Sequence, residues 1–286
     1  MSDDLRIIGP PPPGEGDHAQ HGGGGLSPSS EVAADPLHRV PRSPSPDGGG
    51  PVCVAFAANS CGGLATNLHG AEVVLRCSGV LWLASERTLI VADLHLEKGS
   101  SYAARGQMLP PYDTRETLAR LATEVADLAP KIVVLLGDTF HDRRSEDRLA
   151  GEEAGQLVAL AVGRRLVWVV GNHDVDGPRH LPGDVVDELS LAGLILRHEP
   201  QPGPQPGEVA GHLHPAARVR APRGTVRRRC FITDGTRLIL PAFGAYAGGL
   251  NVRDTAFAGM WVRPPLICAL GSTRVRGVGW GRCVGD

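Results

Sequence analysis

The sequence has no Cys-x-x-Cys pair. Its six cysteines, at 53, 61, 77, 230, 268 and 283, are too scattered for a zinc ribbon or for the disulfide framework of a small secreted fold, so a reducing cytoplasm is the expected location. Long apolar runs are missing too. The longest candidate for a targeting segment, Val52 to Ala58, is too short to cross a bilayer. Charge of one sign is not in excess: 29 basic against 31 acidic side chains give a formal charge of −2, so no whole-protein field draws the chain to nucleic acid or membrane. Lysine occurs only at 98 and 131, which leaves the positive charge almost entirely to arginine. With 42% hydrophobic residues in 286, the chain can build a sizeable core and is not disordered throughout.

What is abundant is unevenly placed. Many of the 38 glycines and 24 prolines crowd the start, in Pro10 to Pro13, Gly22 to Gly25 and Ser43 to Gly50. That composition cannot bury enough apolar surface to offset its ordering entropy, and residues 1–66 read as a disordered extension. From Glu72 onward short β-prone runs follow one another: Val73–Leu75, Val80–Leu83 and Thr88–Ala92. Pro110, Pro111 and Asp113 then open a helix whose Leu118, Leu121, Val125 and Leu128 recur at helical spacing, and Pro130 closes it. Ile132–Leu136 is a continuous apolar run of the kind a strand buried on both faces needs. Leu149–Val162 reads as a second helix and Leu166–Val170 as a second buried strand. Past Pro178 the strands come without helices: Val185–Leu189, Leu194–Arg197, Glu208–Ala210, Arg228–Thr233 and Arg237–Leu240, with Asp234-Gly235 as a hairpin turn. Alternation first and a β-meander afterwards indicate an α/β fold. Residues 264–286 read as a weakly patterned tail.

The polar residues that carry chemistry stand where these strands end. Asp93 and His95 follow the strand ending at Ala92, and Gly137 and Asp138 follow Leu136. Gly171, Asn172, His173 and Asp174 follow Val170, His198 follows Arg197, and His212 and His214 follow Ala210. Ligands gather at the carboxyl ends of strands in open α/β sheets. Each cluster alone is an ordinary turn; their recurrence at strand ends gives one set of oxygen and nitrogen donors. If these segments are extended, alternate residues point the same way, so Asp93 and His95 would face one ion, and His212 and His214 would face an ion from the other side of a cleft. Carboxylate, amide and imidazole without thiolate suit manganese, iron, zinc or magnesium and disfavour a purely structural zinc site.

The series D-x-H, G-D, G-N-H-D, H and G-H-x-H resembles the calcineurin-like metallophosphoesterase superfamily over residues 70–262. The resemblance implies two mixed β-sheets packed as a sandwich flanked by helices, a four-layer α/β/β/α arrangement over residues 67–263. It also implies two divalent cations: Asp93, His95, Asp138 and His214 around one, and Asp138, Asn172, His198 and His212 around the other. Asp138 would bridge them, since a carboxylate has two oxygens and a charge that lowers the repulsion between the cations. His173 would stand over the phosphate, as hydrogen-bond donor or as acid to the leaving alkoxide, with Asp174 orienting its ring.

Further motifs, among them Asp93-Leu-His-Leu-Glu97-Lys98-Gly99, Gly137-Asp-Thr-Phe-His141, His198-Glu-Pro200 and Leu240-Pro-Ala-Phe-Gly244, resemble the bacterial ligase-associated DNA damage response endonucleases. That narrower likeness implies a manganese-dependent nuclease acting on DNA beside a DNA ligase and helicase-type repair partners. Lys98, Arg105, His141 and Arg143 are candidates to hold the scissile phosphate. Arg218, Arg220, Arg223, Arg227, Arg228, Arg229 and Arg237 against Asp234 alone make the stretch after the last metal motif strongly basic, a candidate phosphate-binding surface. A phosphatase or phosphodiesterase for a small nucleotide or metabolite, and an inactive partner-binding scaffold, are the competing readings.

Overall fold

The computed structural model describes residues 55–222 and 224–286. The first sheet runs in chain order: β1 (Phe56–Ala58), β2 (Leu64–Leu68), β3 (Ala71–Leu75), β4 (Leu81–Leu83) and β5 (Thr88–Ala92) form an antiparallel meander. It continues in parallel through β6 (Ile132–Leu136), β7 (Arg165–Val169) and β8 (Asp184–Val186). The parallel half needs crossovers. These are supplied by α1 (Lys98–Ala103) and α2 (Asp113–Leu128) between β5 and β6, and by α3 (Ser145–Arg148) and α4 (Gly151–Leu160) between β6 and β7.

The second sheet contains β9 (Glu188–Leu191), β10 (Leu194–Arg197), β11 (Glu208–Ala210), β13 (Gly224–Thr233), β14 (Leu238–Ile239), β15 (Leu266–Leu270) and β16 (Val275–Gly279), in the order β16-β15-β13-β14-β11-β10-β9. It is mixed rather than a meander, because β11 runs parallel to both β10 and β14. The long β13 reaches beyond it to pair with β12 (Ala216–Ala221), which also pairs with β17 (Cys283–Val284).

The two-residue side-chain period of a strand sorts the core into layers. Ile90, Ala92, Val134, Leu136, Val167 and Val169 face inward and meet Leu196, Val209, Phe231, Leu238 and Cys268 of the second sheet. Their neighbours Leu89, Val91, Val133, Leu135, Leu166 and Trp168 face out and are covered by Leu118, Leu121 and Val125 of α2 and Leu157 and Leu160 of α4. This is the expected sandwich of two mixed sheets. Its far face is not covered by a long helix: Cys230, Ile232, Ile239, Ile267 and Ala269 pack beneath Leu213 of the loop after β11, Ala217 of β12, and Val252, Phe257 and Met260 of the segment that holds a single 3₁₀ turn.

Several boundaries differ from the sequence expectation. The fold starts before residue 67, since β1 and the start of β2 lie in the segment read as disordered; residues 1–54 lie outside the described residues. The tail at 264–286 carries β15, whose Ile267 and Cys268 are fully buried against β13. The run Val185–Leu189 is two strands in two sheets, with Asp187 alone between β8 and β9. No Gly or Pro marks that switch. The helix expected at Leu149–Val162 is α4, and Asp113 does not cap its own helix: its carboxylate accepts from Gly99 N at 2.9 Å and ties α1 to α2. No described helix is long and apolar enough to cross a membrane.

Arg237, counted above among the surface cations, is fully buried. Its Nε donates to Glu208 Oε2 at 2.6 Å, and its remaining donors reach the carbonyls of Gln201, Gly203 and Met260. Removing one partner of such a pair strands the other charge in the core. Arg237→Ala is therefore expected to cost about 3–5 kcal/mol of stability, measured by denaturant unfolding; a loss of a few tenths would show that the pair is not the buried lock described here.

Candidate metal centre

The loops that leave β5, β6 and β7 meet those that leave β10 and β11 at one edge of the sandwich. There the two sheets are stitched together: Ala92 forms a parallel bridge with Ala242, Phe243 N donates to Ala92 O at 2.8 Å, and Gly244 N donates to Asp93 O at 3.2 Å. Gly211 N donates to His198 O at 3.0 Å, holding the two second-sheet loops in register.

The ligand segments are not extended. Asp93, His95, Asp138, His212 and His214 all have left-handed backbones, with φ between 41° and 66°. This region costs ordinary L residues about 1–2 kcal/mol each, and Asp and His enter it more readily than most. The curl at both ends of D-L-H and H-L-H drives the middle residues, Leu94 and Leu213, into the cores on either side, while the flanking polar side chains turn to the edge. Close approach fixes the glycines of the motifs. A Cβ on Gly171 would stand 2.2 Å from Asp138 Oδ1, and one on Gly137, itself at φ 72°, would stand 2.0 Å from His198 Nδ1.

Seven expected ligands converge. Asp93, His95 and His214 make one group and Asp138, His198 and His212 another. His212 and His214 therefore serve different groups, against the extended-chain expectation, because the left-handed turn at His212 swings it away from its neighbour. In the first group His95 Nε2 lies 3.2 Å from His214 Nε2, and His214 Nε2 lies 3.5 Å from Asp93 Oδ1. In the second, His198 Nε2, His212 Nδ1 and Asn172 Oδ1 stand 2.8–3.1 Å from one another. Adjacent donors about 2.1 Å from one cation are separated by about 3.0 Å in an octahedral site and 3.4 Å in a tetrahedral one, so these spacings fit.

Asp138 stands between the groups. Its Oδ1 accepts the backbone N–H of His173 at 2.9 Å, leaving Oδ2 3.4 Å from His198 Nε2 and 3.9 Å from His95 Nε2. Asp93 is held by the backbone N–H of His212, at 3.1 and 3.0 Å to its two oxygens.

The protonation states follow from this crowding. Burial, reinforced by His214, His173 and His141, pushes the His95 pKa down to about 2, and burial takes His198 and His141 down to about 4. Burial, with the nearby Asp93 charge, raises Asp138 to about 6. His95 and His198 thus keep unprotonated nitrogens well into acid, as ligands require. The donor set, the spacing and the raised carboxylate all fit divalent cations.

His173 sits beside the groups, with its ring 41% exposed and Nε2 3.9 Å from Asp138 Oδ2. The ring is oriented by His141, not by Asp174: its Nδ1 donates to the His141 carbonyl at 2.8 Å, and the His141 ring stacks at 5.5 Å. Asp174 instead accepts from Gly171 N at 2.9 Å and Phe140 N at 3.1 Å, locking the loops after β6 and β7 together. That carbonyl role of His141 has no side-chain signature in the sequence. Of the phosphate candidates, Lys98 donates to Tyr246 O at 3.1 Å and lies close enough to depress His95 and His141. Arg105 also acts on His141, and Arg143 is exposed beside a cavity that includes Asp142, Glu146 and Asp174. A further cavity of about 520 Å³ opens against Asn172 and His198.

The family model for calcineurin-like phosphoesterase matches residues 86–223. The chain carries a calcineurin-like phosphoesterase domain. The crystal structure of the nuclease MPE from Pseudomonas putida is 27% identical, with a TM-score of 0.58; the match covers 76% of this chain and all of that one. A phosphoesterase from E. coli, Yfce, matches at 16% identity and a TM-score of 0.33 over 67% of this chain and 98% of that one. No curated protein matches the chain.

In this phosphoesterase domain Asp138 takes up its proton where His95 and His198 are still neutral, so protonation of the carboxylate weakens metal binding in mild acid. Manganese affinity measured by calorimetry should fall about fivefold between pH 6 and pH 5, with proton release on binding. An affinity flat over that interval would contradict the assignment of Asp138.

Proposed function

We propose that the protein is a dinuclear metal-dependent phosphodiesterase that cuts DNA, with manganese as its cation and repair proteins, a DNA ligase and helicase-type enzymes, as its cytoplasmic company. The observation that carries the reading is the position of Asp138 Oδ2, which faces donors of both groups at once. Support for a nucleic-acid substrate comes from the likeness to the P. putida nuclease and from the motifs shared with the ligase-associated endonucleases.

Asp93, His95, Asp138 and His214 would hold one cation, and Asp138, Asn172, His198 and His212 the other. Two such cations neutralise charge on phosphoryl oxygens and supply a water of lowered pKa. The remaining work falls to the chain. A carbonyl can only accept, so His173 Nδ1 carries a proton toward His141 O, and Nε2 is left as the group that faces the site. His173 donates from Nε2 only as an imidazolium, to a phosphoryl oxygen or to the departing alkoxide. Asp174 keeps the peptide of Gly171 fixed and with it the loop that presents both Asn172 and His173. Lys98 stands on the His95 side with its ammonium tethered to Tyr246, a positive charge available to a bound phosphate.

Purified protein with manganese should cleave bis-p-nitrophenyl phosphate and single-stranded DNA, and Asp138→Asn should abolish both. His173→Ala should bind both cations yet lose about 10²–10⁴ in kcat; parental turnover in that variant refutes the donor role. Cleavage of p-nitrophenyl phosphate alone would favour a phosphomonoesterase, and cation binding without any hydrolysis would favour a scaffold.

A further inference from the structure

The basic stretch noted in the sequence does not survive intact in three dimensions. Arg237 is buried, Arg229 donates to the carbonyls of Ala242, Phe243 and Gly244, Arg227 pairs with Asp286, and Arg218 donates to Thr225 and to Gly285 O. Arg223 lies outside the described residues. What remains joins a part of the chain that the sequence reading passed over. Arg228 of β13 and Arg274 and Arg276 of the β15–β16 hairpin line one open groove of about 350 Å³, with the hydroxyls of Ser272 and Thr273 at its end.

The geometry of the strands holds these guanidiniums on one face. Arg274 and Arg276 flank the buried Val275 and so project to the same side, and pairing of Arg276 with Ala269 fixes the register. Arg228 is two residues from Cys230, which belongs to the outer layer of the same sheet. No acidic residue lines the groove, and no described carboxylate pairs with any of the three. Other arginines of this chain do pair with acids, as at Arg76, Arg148, Arg165, Arg179 and Arg197. Three exposed cations left together without a counter-charge make a local positive potential that attracts an anion.

We propose that this groove binds the sugar-phosphate backbone of a single nucleic-acid strand and delivers it to the metal centre; the proposal rests on the nuclease reading above. Guanidiniums suit phosphate oxygens through paired N–H donors, and serine and threonine hydroxyls add contacts to the same atoms. The groove is too small for a duplex and has no aromatic ring for a base to stack on, so it tracks backbone rather than reads sequence. Its reach is right. Val219, in the groove wall, is five residues along from His214, so the two are at most about 18 Å apart, and a nucleic-acid strand covers that in about five steps of 3.4 Å.

The test compares the parent with R228A/R274A/R276A and with the matching triple lysine variant. Binding of a fluorescent single-stranded DNA longer than that span is read by anisotropy in chelator, where no cleavage interferes. The alanine variant is expected to lose about tenfold or more in affinity, and its salt slope to fall by about 2, since each phosphate contact contributes about 0.7 for single strands. The lysine variant should retain most of the slope, and with manganese all three proteins should hydrolyse bis-p-nitrophenyl phosphate alike. Parental affinity and slope in the alanine variant overturn the groove, as does a parent that binds no DNA without metal. The nuclease reading is judged separately, by DNA cleavage with manganese. Arginine-dependent binding without cleavage keeps the groove as a nucleic-acid site and removes its delivery role.

Discussion

The structure depends on electrostatic frustration at one edge of the sandwich. Two imidazole nitrogens stand 3.2 Å apart, three further donors stand 2.8–3.1 Å from one another, and a carboxylate is held beside them with its pKa raised to about 6. Four of the backbones that carry these groups, and that of Asp93 beside them, are left-handed without being glycine. The left-handed backbones and the desolvated carboxylate raise the energy of the metal-free protein. Positive charge placed between the donors would offset the electrostatic part, satisfying lone pairs and stabilising the carboxylates. Asp138 is where the two groups share that relief.

The scaffold supplies what such a site needs, which is rigidity from several directions. β5, β6 and β7 end side by side in parallel, and β10 and β11 end side by side in the other sheet. The Ala92–Ala242 bridge joins the two at the level of the ligands. Leu94 and Leu213 anchor the ligand loops in the two outer cores. Backbone N–H groups of His173 and His212 hold Asp138 and Asp93, so the carboxylates are oriented by peptides that cannot rotate away.

The sequence was most legible where two signals agreed. Thr88–Ala92, Ile132–Leu136, Leu194–Arg197 and Glu208–Ala210 match β5, β6, β10 and β11, because a buried apolar run, its punctuation and the polar motif after it all mark the same boundary. The seven residues that converge at the candidate metal centre stand at boundaries legible for the same reason. What escaped was set by partners distant in sequence. Nothing local tells Asp187 that it separates two sheets, or tells Ile267 and Cys268 that β13 will cover them. Arg237 reads as a surface cation until Glu208, 29 residues away, closes on it. His141 was visible as a side chain, whereas its contribution to His173 comes through a carbonyl that every residue possesses.

The most direct test of the central claim is electron paramagnetic resonance of the manganese-loaded protein. One carboxylate shared between two cations predicts an exchange-coupled spectrum in the parent and an uncoupled spectrum in Asp138→Asn. A parent spectrum of magnetically isolated manganese at full loading would contradict the shared site.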